Sequence, residues 1–96
     1  MLDQANMEAT VWHRIRGPAG LGAALAACRQ AASLTQEQLA HRLGIDRTTV
    51  IAMEAGRNPA LARLVRAFAL LGYDLVAVPR AAAVTVDEAP RGSGET

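Results

Sequence analysis

The chain has 96 residues, 51 % of them hydrophobic, and a formal net charge of +1. That is enough for one small domain and too little charge for composition to announce a polyanionic partner. The single cysteine, Cys28, excludes an internal disulfide and the ligand spacing of a structural metal, and no apolar run is long enough to span a bilayer. With no secretory h-region, a cytoplasmic protein is expected.

Twenty-one of the hydrophobic residues are alanine, so the core must come from a short list of Leu, Ile, Val, Phe and Met. A chain this small leaves apolar surface uncovered, which a second subunit would help to bury. Charge is uneven. Residues 18–80 hold seven arginines against four acids, residues 81–96 three acids against one arginine, and there is no lysine. A compositional preference for Arg, Ala and Gly accounts for this bias more simply than function does, although the planar guanidinium suits phosphate and guanine.

In chain order, residues 1–10 show no sustained period. Val11 to Arg16 (VWHRIR) alternates as a short strand or an arm would, with Trp12 read as packing on the core. Gly17-Pro18 opens the first helix, since proline is tolerated at its first position. Leu21, Leu25 and Cys28 follow at helical spacing as far as about Ala32, and Ser33 breaks the helix. Thr35 and Gln38 form a candidate capping box for a second helix over Gln36 to Leu43, with Leu39, Ala40 and Leu43 inward. Gly44 stops it with positive φ and Ile45 returns to the core. Asp46 is expected to cap a third helix, Arg47 to Ala55, with Val50 and Met53 inward, and Gly56 to stop it.

Asn58-Pro59 restarts the chain as a fourth helix with the apolar stripe Leu61, Leu64, Val65, Phe68 and Leu71, ended by Gly72. Tyr73 to Val78 (YDLVAV) alternates and stops at Pro79, and so reads as one short strand. A lone strand in a helical domain carries unpaired backbone groups. Pairing with its copy in a second subunit, through Tyr73, Leu75, Val76 and Val78, satisfies some of them. The expected organisation is a partly disordered N-terminal arm over 1–17, a helical domain over 18–72, a dimerisation strand over 73–80 and a disordered tail over 81–96.

The spacing from Leu34 to Arg57, LTQEQLAHRLGIDRTTVIAMEAGR, makes two short helices with a tight glycine-centred turn. Leu39, Ala40, Ile45 and Val50 can lock the two helices at a fixed angle, and the small Ala40 lets them approach. The outer N-terminal part of the second of these helices then carries Asp46-Arg47-Thr48-Thr49 and, one turn on, Ala52. In such a unit this is the part that meets base edges in the major groove. No nucleophile–base constellation, phosphate loop or metal set is present, so an enzyme is not expected.

This segment resembles the helix-turn-helix of the phage repressor and Cro family, also called the XRE family. The shared pattern is Leu-Thr-Gln-x-x-Leu-Ala, then Gly-Ile, a polar run, and Glu-x-Gly-Arg, and the likeness extends over about Leu21 to Leu71. It implies an all-α, lambda-repressor-like bundle of four to five short helices acting as a homodimer on a palindromic operator, to which the reading of Tyr73–Val78 adds one C-terminal β-strand pairing across the dimer. It also implies roles. Arg47 and Thr48 sit where bases are read, Arg47 being able to hold guanine bidentately. Thr49 can reach a thymine methyl or a phosphate, and Ala52 offers an apolar contact. Thr35, Gln36 and Arg57 fall at phosphate-gripping positions, and Arg29 and Glu54 where the family has a partly buried ion pair. His41, Arg63 and Arg66 read as solvated surface.

The flanks LGYDLVAVPR and IRGPAGLGAAL resemble the HipB-type antitoxins, with Gly17 where Ser or Thr would cap the first helix. That likeness implies an autoregulating repressor that also binds a HipA-like kinase toxin. The alternative is a stand-alone phage- or host-derived regulator without a toxin partner. No cofactor is expected.

Overall fold

Pro18 stands at the start of the first helix, where its missing N–H costs nothing, and Gly17 precedes it in an extended conformation with no side chain to cap with. The computed structural model describes residues 12–57 and 60–85. Among these residues are four helices: α1 (Pro18–Ala31), α2 (Gln36–Leu43), α3 (Arg47–Glu54) and α4 (Leu61–Leu70). The expected starts of α1, α2 and α3 are matched, and α1 and α3 each end one residue earlier than the periodicity predicts. Val11 and the rest of the arm's first eleven residues, the Asn58-Pro59 restart and residues 86–96 of the tail lie outside the described residues.

All four helices close with the same chain geometry. The N–H two residues beyond α2, and three beyond α1, α3 and α4, returns to a carbonyl five residues back: Leu34 to Arg29, Ile45 to Ala40, Arg57 to Ala52 and Tyr73 to Phe68, at 2.8–3.2 Å. This Schellman closure needs a left-handed residue at the reversal. Gly44 supplies it between α2 and α3 (φ 71°), and Ser33 supplies it after α1 (φ 61°) at a conformational cost that glycine would not carry. The residue after each reversal is thereby aimed inward or along the next element, as with Ile45 and Tyr73, both packed against the core.

The core is drawn from all four helices: Ala24, Leu25 and Cys28 from α1, Leu39, Ala40 and Leu43 from α2, Val50 and Met53 from α3, and Leu64, Ala67 and Phe68 from α4. Each fully buried Leu contributes about 1.5–3 kcal/mol of transfer free energy. The stripe expected on α4 is therefore narrower than predicted. Leu64 and Phe68 are buried, whereas Leu61 is 72 % and Val65 46 % exposed, because one face of the helix meets the rest of the domain and these two residues lie beyond its edge.

Burial pushes the Cys28 thiol above its ordinary pKa, while a hydrogen bond with the Tyr73 side chain works the other way. Tyr73 is raised as well, by burial first and then by Cys28. An acid whose pKa is raised by folding stabilises the fold below its unfolded value and loses that contribution as pH rises through the folded value. Thermal stability is therefore expected to fall from about pH 8.5 upward, with a shallower fall in Cys28→Ala. A melting temperature flat to pH 10.5 in both proteins would show that the thiol ionises freely.

The strand expected over Tyr73–Val78 does not form among the described residues, and of the two readings of Val11–Arg16, strand or arm, the strand is not seen in its described part. Trp12–Arg16 and Tyr73–Pro79 have no regular secondary structure. A strand exists by virtue of its ladder, and no ladder is formed by either segment among the described residues. Leu75, Val76 and Val78 stay 42, 77 and 51 % exposed, and Trp12 44 %. The contacts of the chain set His13–Val76, which holds the helices, apart from a second unit to which Trp12 and residues 77–85 belong. In that second unit Ala82 N–H donates to the Pro79 carbonyl at 3.0 Å.

Candidate nucleic-acid interface

Thr35 opens α2 with the capping box its sequence predicts: Thr35 Oγ1 accepts from Gln38 N at 3.0 Å, and Gln38 Oε1 accepts from Thr35 N at 2.8 Å. A side-chain cap of this kind stabilises a helix by about 1 kcal/mol. It also holds the backbone at the start of α2 in one arrangement. Three residues, Gly44 to Asp46, then carry the chain into α3.

On α3, Val50 and Met53 are buried, at 0 and 2 % exposure. The opposite side of its first turn presents Arg47 and Thr48 to solvent, with Thr49 and Ala52 half-buried at the margin. Arg57 follows the helix and is exposed, and so is Thr35. Asp46 occupies the N-cap position, but its side chain makes no cap bond, contrary to the sequence expectation. Its carbonyl accepts from Thr49 and Val50. The first turn is exposed, so water can serve the remaining donors and the carboxylate gains little by turning inward.

The Arg29–Glu54 pair implied by the resemblance is present. Arg29 Nε lies 2.6 Å from Glu54 Oε2, with side-chain exposures of 11 and 7 %, and Nη2 reaches Oε1 at 3.1 Å. Two further bonds have no counterpart in the sequence reading. Arg29 Nη1 donates to the Leu34 carbonyl at 2.7 Å, and Gln36 Nε2 donates to Glu54 Oε1 at 3.0 Å. One guanidinium and one carboxylate thus tie the end of α1, the entry to α2 and the end of α3 together.

Two more features were missed. Gly22 of α1 is buried against the end of α3: a methyl group there would lie 2.6 Å from the Glu54 carbonyl carbon and 2.8 Å from the Gly56 nitrogen. A glycine inside an alanine-rich helix is the signal that could have found it, since it forfeits about 0.5–1 kcal/mol of helix stability unless something needs the space. Arg66, read as solvated, instead donates from Nη1 to the Leu43 carbonyl at 2.8 Å and so serves the C-terminal end of α2, where cations are favoured. No sequence signal marks that contact. His41 is exposed, as expected.

Among the described residues no group of His, Cys, Asp or Glu could hold a metal ion, and no helix is long and apolar enough to cross a membrane. A family model described as helix-turn-helix matches residues 25–78, more than half of the 96. No curated protein matches the chain.

Proposed function

This chain belongs to the helix-turn-helix family, a family of DNA-binding regulatory rather than catalytic domains, and from that premise we propose that it is a dimeric, sequence-specific transcriptional repressor. The observation that carries the reading is the two-sidedness of α3. Its inner face is locked into the core through Val50 and Met53, while Arg47 and Thr48 stand exposed on its first turn. A helix held this way enters the major groove with its N-terminal residues toward the bases. Arg47 and Thr48 then read bases, with Thr49 and Ala52 at the margin, and Thr35, Gln36 and Arg57 hold phosphates.

Binding of the purified protein to a random DNA pool, followed by sequencing of the retained fraction, tests this directly. A two-fold symmetric site is expected, and a pool left unenriched would sink the reading. On the recovered site, Arg47→Ala is expected to lose about 1–3 kcal/mol of specific binding and to relax one base position, whereas Arg57→Ala weakens all sequences alike and lowers the salt slope by about one. Equal losses on all sequences for Arg47→Ala would remove it from base readout.

The tail supports the dimer. Leu75, Val76 and Val78 are exposed on a segment without regular secondary structure, and pairing with the copy of that segment in a second subunit would cover them. A chain ending after Tyr73, which keeps the Cys28 contact, is expected to run as a monomer in light scattering. An unchanged dimer would move the interface to the exposed Leu61 and Val65 of α4. The resemblance of the tail to HipB-type antitoxins supports the further role of binding a HipA-like kinase toxin. Co-purification with the product of a neighbouring kinase-like reading frame tests that role, and its failure favours a stand-alone regulator.

A further inference from the structure

We propose that Glu54 is a positioning residue for DNA binding, acting through Gln36: it sets the Gln36 amide with its donor side committed, so that this side chain meets a DNA phosphate already oriented. The inference rests on the reading above that the start of α2 grips a phosphate.

The argument begins with what a carboxylate can do. Ionised Glu54 accepts hydrogen bonds and donates none. The amide of Gln36 has two faces, one accepting and one donating, and only the donating face can approach Glu54. The 3.0 Å bond from Gln36 Nε2 to Glu54 Oε1 therefore decides which way the amide lies. Nε2 carries two hydrogens. One is held by Glu54 and the other remains on a half-buried side chain at the first position of α2. A phosphate oxygen requires a donor, and this arrangement offers one without a prior rotamer search. Glutamine is among the side chains that lose most freedom when ordered, so ordering it before DNA arrives moves that cost into folding.

Glu54 alone would repel the phosphate it helps to bind. Arg29 removes that objection, because Nε and Nη2 lie 2.6 and 3.1 Å from the two carboxylate oxygens. The pair is close to neutral as seen from DNA and passes on orientation rather than charge. The same guanidinium holds the Leu34 carbonyl at 2.7 Å, so the backbone entering α2 and the side chain at its first position share one anchor. The pattern explains why an ion pair that faces no base sits directly beneath a DNA-facing residue.

A double-mutant cycle on DNA affinity tests this, using the site selected by the unaltered protein. Gln36→Met keeps length and removes the donor. Glu54→Gln keeps shape but has one oxygen, which Arg29 claims, leaving an N–H toward Gln36. Gln36→Met is expected to weaken binding about fivefold in the unaltered background and less than about twofold beside Glu54→Gln. The same factor in both backgrounds would make Glu54 purely structural and overturn the proposal. No effect of Gln36→Met in the unaltered protein would overturn it too, while leaving the DNA-binding reading standing. That reading fails separately, if the unaltered protein selects no site.

Should Glu54→Gln not fold, side-chain amide NMR of the unaltered protein decides, with Gln36→Met assigning the signal. One Nε2 proton of Gln36 is expected to be slow to exchange before DNA is added, and the second to shift on titration with the site. Two freely exchanging protons that ignore DNA would overturn the proposal.

Discussion

Arg29→Ala is expected to lower the stability of the domain by about 3–5 kcal/mol, the cost of leaving a buried charge without its partner. Glu54 has 7 % of its side chain exposed and would keep one neutral hydrogen bond, from Gln36, in place of a bidentate guanidinium. The Leu34 carbonyl would lose its 2.7 Å donor at the same time. Domains of this size have about 5–15 kcal/mol to lose, so the variant should be partly unfolded at 37 °C. Arg29→Lys should recover little, because an ammonium cannot place three donors on Glu54 and Leu34 in one plane. Urea denaturation checks both. A loss below about 1 kcal/mol for Arg29→Ala would put the pair in the class of solvent-screened surface bridges.

The second large effect concerns two glycines of α1 that the sequence does not tell apart. Gly22→Ala is expected to destabilise by about 1–3 kcal/mol, the range for an overpacked contact. The gain in helix propensity of up to about 1 kcal/mol works against this and is outweighed. The added methyl would meet backbone atoms of Glu54 and Gly56, which cannot swing aside as a side-chain end does. Gly20→Ala, two residues earlier, meets only the Ile15 Cα at 4.0 Å and should stabilise by about 0.5–1 kcal/mol. Opposite signs in thermal melts are the expected outcome. Equal signs would mean that α1 and the end of α3 can separate without cost. Relief of the Gly22 contact would also shift the end of α3, so DNA affinity should fall with stability in that variant and not in Gly20→Ala.

The parts of the fold legible in the sequence are those set by neighbours in the chain. Thr35 and Gln38 cap α2 because they stand three apart, and Gly44 reverses the chain because its φ is open to it. Leu39, Ala40, Leu43, Val50 and Met53 are buried because their spacing puts them on one face. The candidate site was legible to the same depth: exposure of Arg47 and Thr48 follows once Val50 and Met53 face inward. What escaped was long-range. Gln36 reaches Glu54 across 18 positions and Arg66 reaches Leu43 across 23, and neither residue type at its position announces a partner. Val65 fits the α4 stripe by spacing, yet the width of the buried face was set by what packs there. Alternation in Tyr73–Val78 marks a strand's side chains but cannot provide a ladder partner.

The sequence by itself determined the four helices of the described residues, three of their starts, the turn between α2 and α3, and the side of α3 turned to solvent, because capping, left-handed glycine and apolar spacing act within a few residues. Tertiary structure alone decided that Arg29, Glu54, Gln36 and the Leu34 carbonyl form one hydrogen-bonded unit, that Gly22 is a point of closest approach while Gly20 is not, and that Asp46 leaves its cap bond unmade. The first two outcomes depend on distances between segments far apart in the chain, which no local propensity encodes, and the third on the exposure of the first turn of α3 to water.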